Sequence, residues 1–142
     1  MSDQNYKNHT RFVPLYHYVT SLAVLGCLGG SINYAAHATP ETQYSACLLV
    51  LVSVVLVMLF WFCRAFALKA QDRAIRAEEN FRHFILTGKP LDSKLSMAQI
   101  VGLRFASDAE FPALAQKTVA ENLSQKEIKQ SVKNWRADHN RA

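Results

Sequence analysis

Five histidines, three cysteines and two clusters of charged side chains are the residues of this sequence with the means to do chemistry. A metal site needs His, Cys and carboxylates at ligand spacing. His9, His17, His37, His83 and His139 are scattered. His9 and His17 share one end of the chain, but their separation fits no helical ligand pair. Cys27, Cys47 and Cys63 all fall in apolar runs and none belongs to a CxxC pair. A thiol in such a run reads as a small packing residue, with redox or lipid attachment as the alternative. "GCLGG" (26–30) matches neither GxGxxG nor a Walker motif. No Ser or Cys carries a nucleophile motif. His17 borders an apolar run, where it reads as an interfacially solvated group or as a proton-linked one. These residues predict no catalytic residue, no metal and no cofactor: a non-enzymatic protein.

Two clusters remain. Arg104, Asp108 and Glu110 in "RFASDAEF" read as a capping and salt-bridge corner, with a recognition surface as the sharper alternative. Lys126, Lys129, Lys133 and Arg136 share one side of an expected last helix, which suits a solvated face or contact with phospholipid headgroups. The capped helices there loosely resemble helix-turn-helix proteins, but an alanine-rich neighbour and an apolar anchor argue against nucleic acid as a partner.

The elements that position these groups follow from hydropathy and charge. The chain has 142 residues and a formal charge of +5, and Arg64–Ala142 holds 14 Lys and Arg against 9 Asp and Glu. The excess of positive charge therefore lies outside the apolar half. "QYSACLLVLVSVVLVMLFWFC" (43–63) is uncharged and matches the ~20 residues that cross a bilayer core. "LYHYVTSLAVLGCLGGSINYAA" (15–36) has that length but also three glycines, Asn33, His17 and several hydroxyls, so it reads as a span that leans on its neighbour. Lys7 and Arg11 precede the first span, Arg64, Lys69, Arg73 and Arg76 follow the second, and the loop 37–42 has no Lys or Arg. That asymmetry predicts a multi-pass protein of the bacterial inner membrane with both termini cytoplasmic. Phe12, Tyr16, Tyr18, Phe60, Trp61 and Phe62 sit at the expected inner boundary. "AAHA" (35–38) has the look of a signal-peptidase site, and cleavage there would leave one span facing the other way, although the positive charges after Arg64 hold that end inside in either case. The apolar stretch before it exceeds the usual signal length, and the two-span reading is the one adopted.

In the hairpin, Ala23, Gly26 and Gly30 form a small-residue face suited to close helix packing. Antiparallel pairing through the loop 37–42 sets Gly26 opposite Ser53, with the Ser53 hydroxyl expected on a backbone carbonyl near Gly26.

Thr39, Pro40 and Glu41 look like a helix start, and from Glu41 to Leu86 there is neither Pro nor Gly. "TGKP" (87–90) is the stop. The second span is therefore expected to continue as a cytoplasmic helix to about residue 86. Ala67, Ala70, Ala74, Ala77, Phe81 and Phe84 stripe one side of it. Glu78–Arg82 and Asp72–Arg76 are favourable pairs one turn apart. "LSMAQI" (95–100) and "LSQKEI" (123–128) each combine a capping box with a hydrophobic staple, and "SDAEFP" (107–112) is a looser start. They predict helices at about 97–106, 109–122 and 125–138, folded onto the Ala/Phe stripe. The expected bundle core includes Phe81, Phe84, Phe111, Leu114, Ile128 and Trp135, with Ile100, Leu103, Phe105, Val119 and Val132 also turned inward.

The fold class is thus all-α. A segment 1–14 precedes a transmembrane hairpin (15–64, spans 15–36 and 43–63), followed by a cytoplasmic helical domain (65–142). "QNYKNHTRFVPLYHY" and "LRFASDAEFPALAQK…IKQSVKNWRADH" resemble an uncharacterised family of small bacterial membrane proteins, a domain of unknown function. The resemblance covers most of the chain. It implies two spans and a cytoplasmic helical tail, and some relatives carry a transporter-permease label. An accessory or interaction subunit, partnered by the bilayer and by another protein or further copies of itself, is the leading expectation. A transporter component working only in an oligomer or complex is the alternative, and a membrane enzyme stands third.

Overall fold

A computed structural model of the chain describes Tyr6 and residues 13–138; Lys7, His9, Arg11, Phe12 and His139 lie outside the described residues. The described chain is helical and contains no strand, only an isolated bridge between Ala106 and Trp135. Leu15–Thr20 is a π-helix that runs directly into α1 (Ser21–Ala36). There follow α2 (Gln43–Thr87), α3 (Met97–Leu103), α4 (Phe111–Glu121) and α5 (Gln125–Ser131). The continuous stretch Leu15–Ala36 and α2 are both long and apolar enough to cross a membrane. Two compact units divide the chain, with the boundary between Ala67 and Leu68.

In the first unit, hydroxyls shape the helix start. The π-turns are matched by Thr20 Oγ1 donating to the Leu15 carbonyl at 2.9 Å and Ser21 Oγ to the Tyr16 carbonyl at 3.3 Å, each five residues back. α2 begins three residues after Pro40: Thr39 and Thr42 close a turn first, with Thr42 Oγ1 accepting from the Thr39 amide at 2.9 Å. α1 and α2 meet through Ser53, whose Oγ donates to the Cys27 carbonyl at 3.3 Å and to the Leu49 carbonyl at 2.8 Å. Further along, Tyr16 stacks on Phe60 at 4.7 Å and its hydroxyl donates to the Phe60 carbonyl at 3.2 Å.

The expected small-residue face is corrected here. Ala23, Gly26 and Gly30 are exposed, and a Cβ built on either glycine meets nothing within 4 Å. Burial falls instead on Ser31 of α1 and on Ala46 and Ser53 of α2. All three are small side chains, and the Ser53 contact with the Cys27 carbonyl forms with both glycines left uncovered.

In the second unit, α2 stops where Gly88 takes φ 72° and its amide bonds to the Phe84 carbonyl at 2.7 Å. Both capping boxes form: Ser96 with Gln99 starts α3, and Ser124 with Glu127 starts α5. Their staples are buried or half-buried, Leu95 and Ile100 for α3, Leu123 and Ile128 for α5. Gly102 lets these helices approach closely, since a Cβ there would stand 3.1 Å from Ile128 Cγ2. α4 ends at Asn122, whose left-handed φ of 49° turns the chain toward α5. Phe105, Phe111, Leu103 and Ile128 are the largest fully buried apolar side chains.

Two expectations fail in this unit. The stripe Ala67, Ala70, Ala74, Ala77, Phe81 and Phe84 is exposed throughout, with Phe81 at 65 % and Phe84 at 50 %. The buried side of α2 is instead Ile75, Glu79 and His83, with Arg82 half-buried beside them. A face with one aliphatic residue among polar ones leaves no hydrophobic period to read. The last helix is also shorter than expected, because the chain becomes extended at Val132 and pairs with the α3–α4 connection.

Candidate functional site

The second unit concentrates its charge chemistry around Arg82. Its Nε donates to Asp108 Oδ1 at 2.7 Å, Nη1 to Glu79 Oε2 at 3.0 Å and Nη2 to the Ala106 carbonyl at 2.7 Å. The guanidinium lies 4.5 Å from the centroid of the Phe111 ring. Three donors and one ring face are thus engaged by a side chain only 10 % exposed. A planar fork suits such a junction, where a lysine would supply a single point charge. Glu78, the expected partner one turn away, is bypassed: the carboxylate one position further on is the buried one.

Beside this junction lies a cleft of about 470 Å³, lined by Gln71, Ile75, Glu79, Arg104, Arg136 and Asp138 among others. Burial pushes the Glu79 carboxyl above the usual glutamate range, against the opposing pull of the Arg82 hydrogen bond and of the charges on Arg82, Arg136 and Arg104. Arg104 is buried and ion-paired with Asp138. Its Nη1 and the Gln71 Oε1 are buried without hydrogen-bond partners. The cleft holds no nucleophile beside a base. Its geometry supports electrostatic fastening of the C-terminal segment to α2 and α3, with room for polar contact. Among the described residues no three His, Cys, Asp or Glu side chains gather as a metal site.

Of the sequence-level candidates, Arg104, Asp108 and Glu110 go to three different places. Arg104 takes Asp138 and Asp108 takes Arg82. Glu110 accepts from the Lys133 amide at 3.2 Å, the Asn134 amide at 3.2 Å and Asn134 Nδ2 at 2.7 Å. That clamp holds the extended segment, together with Arg136 donating its amide to the Phe105 carbonyl at 2.8 Å. It also undoes the expected basic helix face. Lys126 and Lys129 lie on α5, whereas Lys133 and Arg136 lie beyond its end. Lys129 is half-buried, with its Nζ 5.3 Å from the centroid of the Phe105 ring.

Phe111, Leu114 and Ile128 are buried; Trp135 is half-buried and packs on Phe105 at 5.0 Å; Phe81 and Phe84 are outside the core. His83 is buried, its Nδ1 2.8 Å from the Lys89 carbonyl and its ring edge-on to Phe111. His37 sits at the end of α1, with Nδ1 2.9 Å from the Asn33 carbonyl. Cys27, Cys47 and Cys63 are free and exposed. Sequence reasoning missed the Arg82 junction, the Glu110 clamp and the Gln99–Asn122 link of 3.3 Å. The spacing of Glu79 and Arg82 was the one visible signal.

The profile of a family described as a family of unknown function (DUF6526) matches residues 1–142. No curated protein and no solved structure matches the chain.

Proposed function

The chain thus belongs to the family of unknown function DUF6526, and from that premise we propose that it is a small non-enzymatic integral protein of the bacterial inner membrane, acting as an accessory or interaction subunit. One observation carries the reading. Only 11 % of the most apolar stretch of α2 and 6 % of that of Leu15–Ala36 are buried. The core helix of a water-soluble protein would be mostly covered, and lipid is the solvent that suits a long, bare apolar helix. The lysines and arginines flanking the two spans support cytoplasmic termini, and the short loop between them supports a hairpin. The small domain built on the far end of α2 then presents its surface to cytoplasmic partners. A fastened charge network without a nucleophile supports binding and not turnover.

The test is membrane association followed by partner capture. After alkaline washing the protein should remain in the inner-membrane pellet. Purification in mild detergent should give a stoichiometric partner or a defined homo-oligomer. Release by alkaline washing, or a strict monomer without a partner, would overturn the reading. Intact mass of the mature chain separates two spans from cleavage after Ala38.

A further inference from the structure

The exposed side of α2 carries a second seam, and we propose that it pairs with the same seam of a second copy of this chain as a parallel two-stranded coiled coil. The inference rests on the membrane reading above only for the shared orientation of the two copies.

Ala70, Ala77 and Phe84 alternate with Ala74 and Phe81 at the three-and-four spacing of a and d heptad positions. All five are exposed. They lie on the side of α2 roughly opposite Ile75, Glu79 and Arg82, which face the small helices. The seam is exposed, although its edges border the bundle: Ala74 and Glu78 also line the cleft beside Arg104 and Arg136, and Arg73 and Ala77 line a hollow with Leu91, Leu95 and Ile100. Its alanine half permits close backbone approach, and its two phenylalanines offer apolar area that water disfavours.

Charge chooses the occupant and its direction. Taking Ala74 and Phe81 as a positions, Arg73 is a g residue and Glu78 the following e residue. In a parallel pair each g side chain meets the next e side chain of the partner helix. Arg73 of each copy then meets Glu78 of the other, so the seam is complementary to itself on both flanks. An antiparallel pair would match e with e and g with g, and neither flank could set Arg73 against Glu78. Both side chains are exposed, and neither takes part in an ion pair among the described residues. A seam of about two heptads is short for a dimer free in solution. Two copies held in one bilayer meet at a raised effective concentration, which lowers the affinity the seam must supply.

The experiment is cysteine cross-linking of the full chain in native membranes. Cys27, Cys47 and Cys63 are first replaced by serine, and single cysteines are then placed by Ala74→Cys, Ala77→Cys and, on an exposed position off the seam, Arg76→Cys. Mild oxidation should give disulfide-linked homodimers at Ala74→Cys and Ala77→Cys, several-fold more than at Arg76→Cys. Arg73→Glu should lower the Ala77→Cys yield several-fold, and combining Arg73→Glu with Glu78→Arg should restore it. Equal yields at all three positions overturn the proposal, as does absence of seam dimers while the charge-swapped pair is also silent. A preferred link between co-expressed Ala70→Cys and Phe81→Cys chains would mean an antiparallel seam, and a link to a different protein would mean another occupant; either overturns it. Sedimentation of the same samples tests the membrane reading separately: protein in the soluble fraction sinks that reading, while the cross-link pattern alone decides the dimer.

Discussion

The two sides of α2 beyond residue 70 invert the usual arrangement. The side against the small helices carries Ile75 with Glu79, Arg82 and His83, whereas the bare side carries two alanines and two phenylalanines. Polarity on the covered side is tolerable because its groups have named partners: Glu79 and Asp108 on Arg82, and the Lys89 carbonyl beside His83. Unpaired, the same groups would each cost a few kcal/mol. A helix face is thus assigned by what its side chains can reach, and apolar letters alone do not say which face is inside.

Substitutions can break or sharpen that contrast. The largest effect is expected at Arg82→Ala, which leaves Glu79 buried and without its cation; opening of α3 and α4 should become easier by about 3–5 kcal/mol, read by hydrogen exchange of their amides. Ile75→Ala on the same side should cost about 2–4 kcal/mol by cavity formation, by the same measurement. Glu79→Gln should act through pH. A carboxyl raised above its unfolded value binds its proton more tightly in the fold, so its contribution is complete below the unfolded pKa and is lost as pH rises through the folded one. The variant should flatten that decline between the two values in exchange profiles, and an unchanged pH dependence would place the titration elsewhere. Glu127 works in the opposite sense, since its bonds from Ser124 lower its pKa; its stabilisation is lost as pH falls. The smallest effect belongs to the bare side. Phe81→Ala should change α3 and α4 protection by less than about 0.5 kcal/mol, and a loss near that of Ile75→Ala would show Phe81 to be a core residue.

What was legible in the sequence was local. Ser96 with Gln99 and Ser124 with Glu127 act over three residues, so their boxes could be read directly and both are formed. The stop at Gly88 is equally local. The Ser53 hydroxyl reached a carbonyl next to Gly26 because helix pitch and a short loop fix the register. What could not be read depends on residues far apart in the chain. Arg82 meets Asp108 across 26 residues, and Glu110 meets Asn134 across 24. No breaker in "QSVKNW" announces that α5 ends at Ser131; a carboxylate from another element takes the next amides instead. The site suffered most, since its charged groups were sorted by partners that the local sequence does not display.

The wide turns at Leu15–Thr20 carry a consequence for how this chain can vary in length. A π-turn holds about one residue more than an α-turn, so the segment behaves as an insertion absorbed without turning the remainder of the helix. Deleting a single residue there should restore ordinary α-turns and leave Leu28, Ser31 and the contact with Ser53 on their present side. The same deletion within α1, after Ser21, would instead swing Ser31 away by about 100°. Natural or engineered length changes in the first helix should therefore be accepted before Thr20 and rejected beyond it.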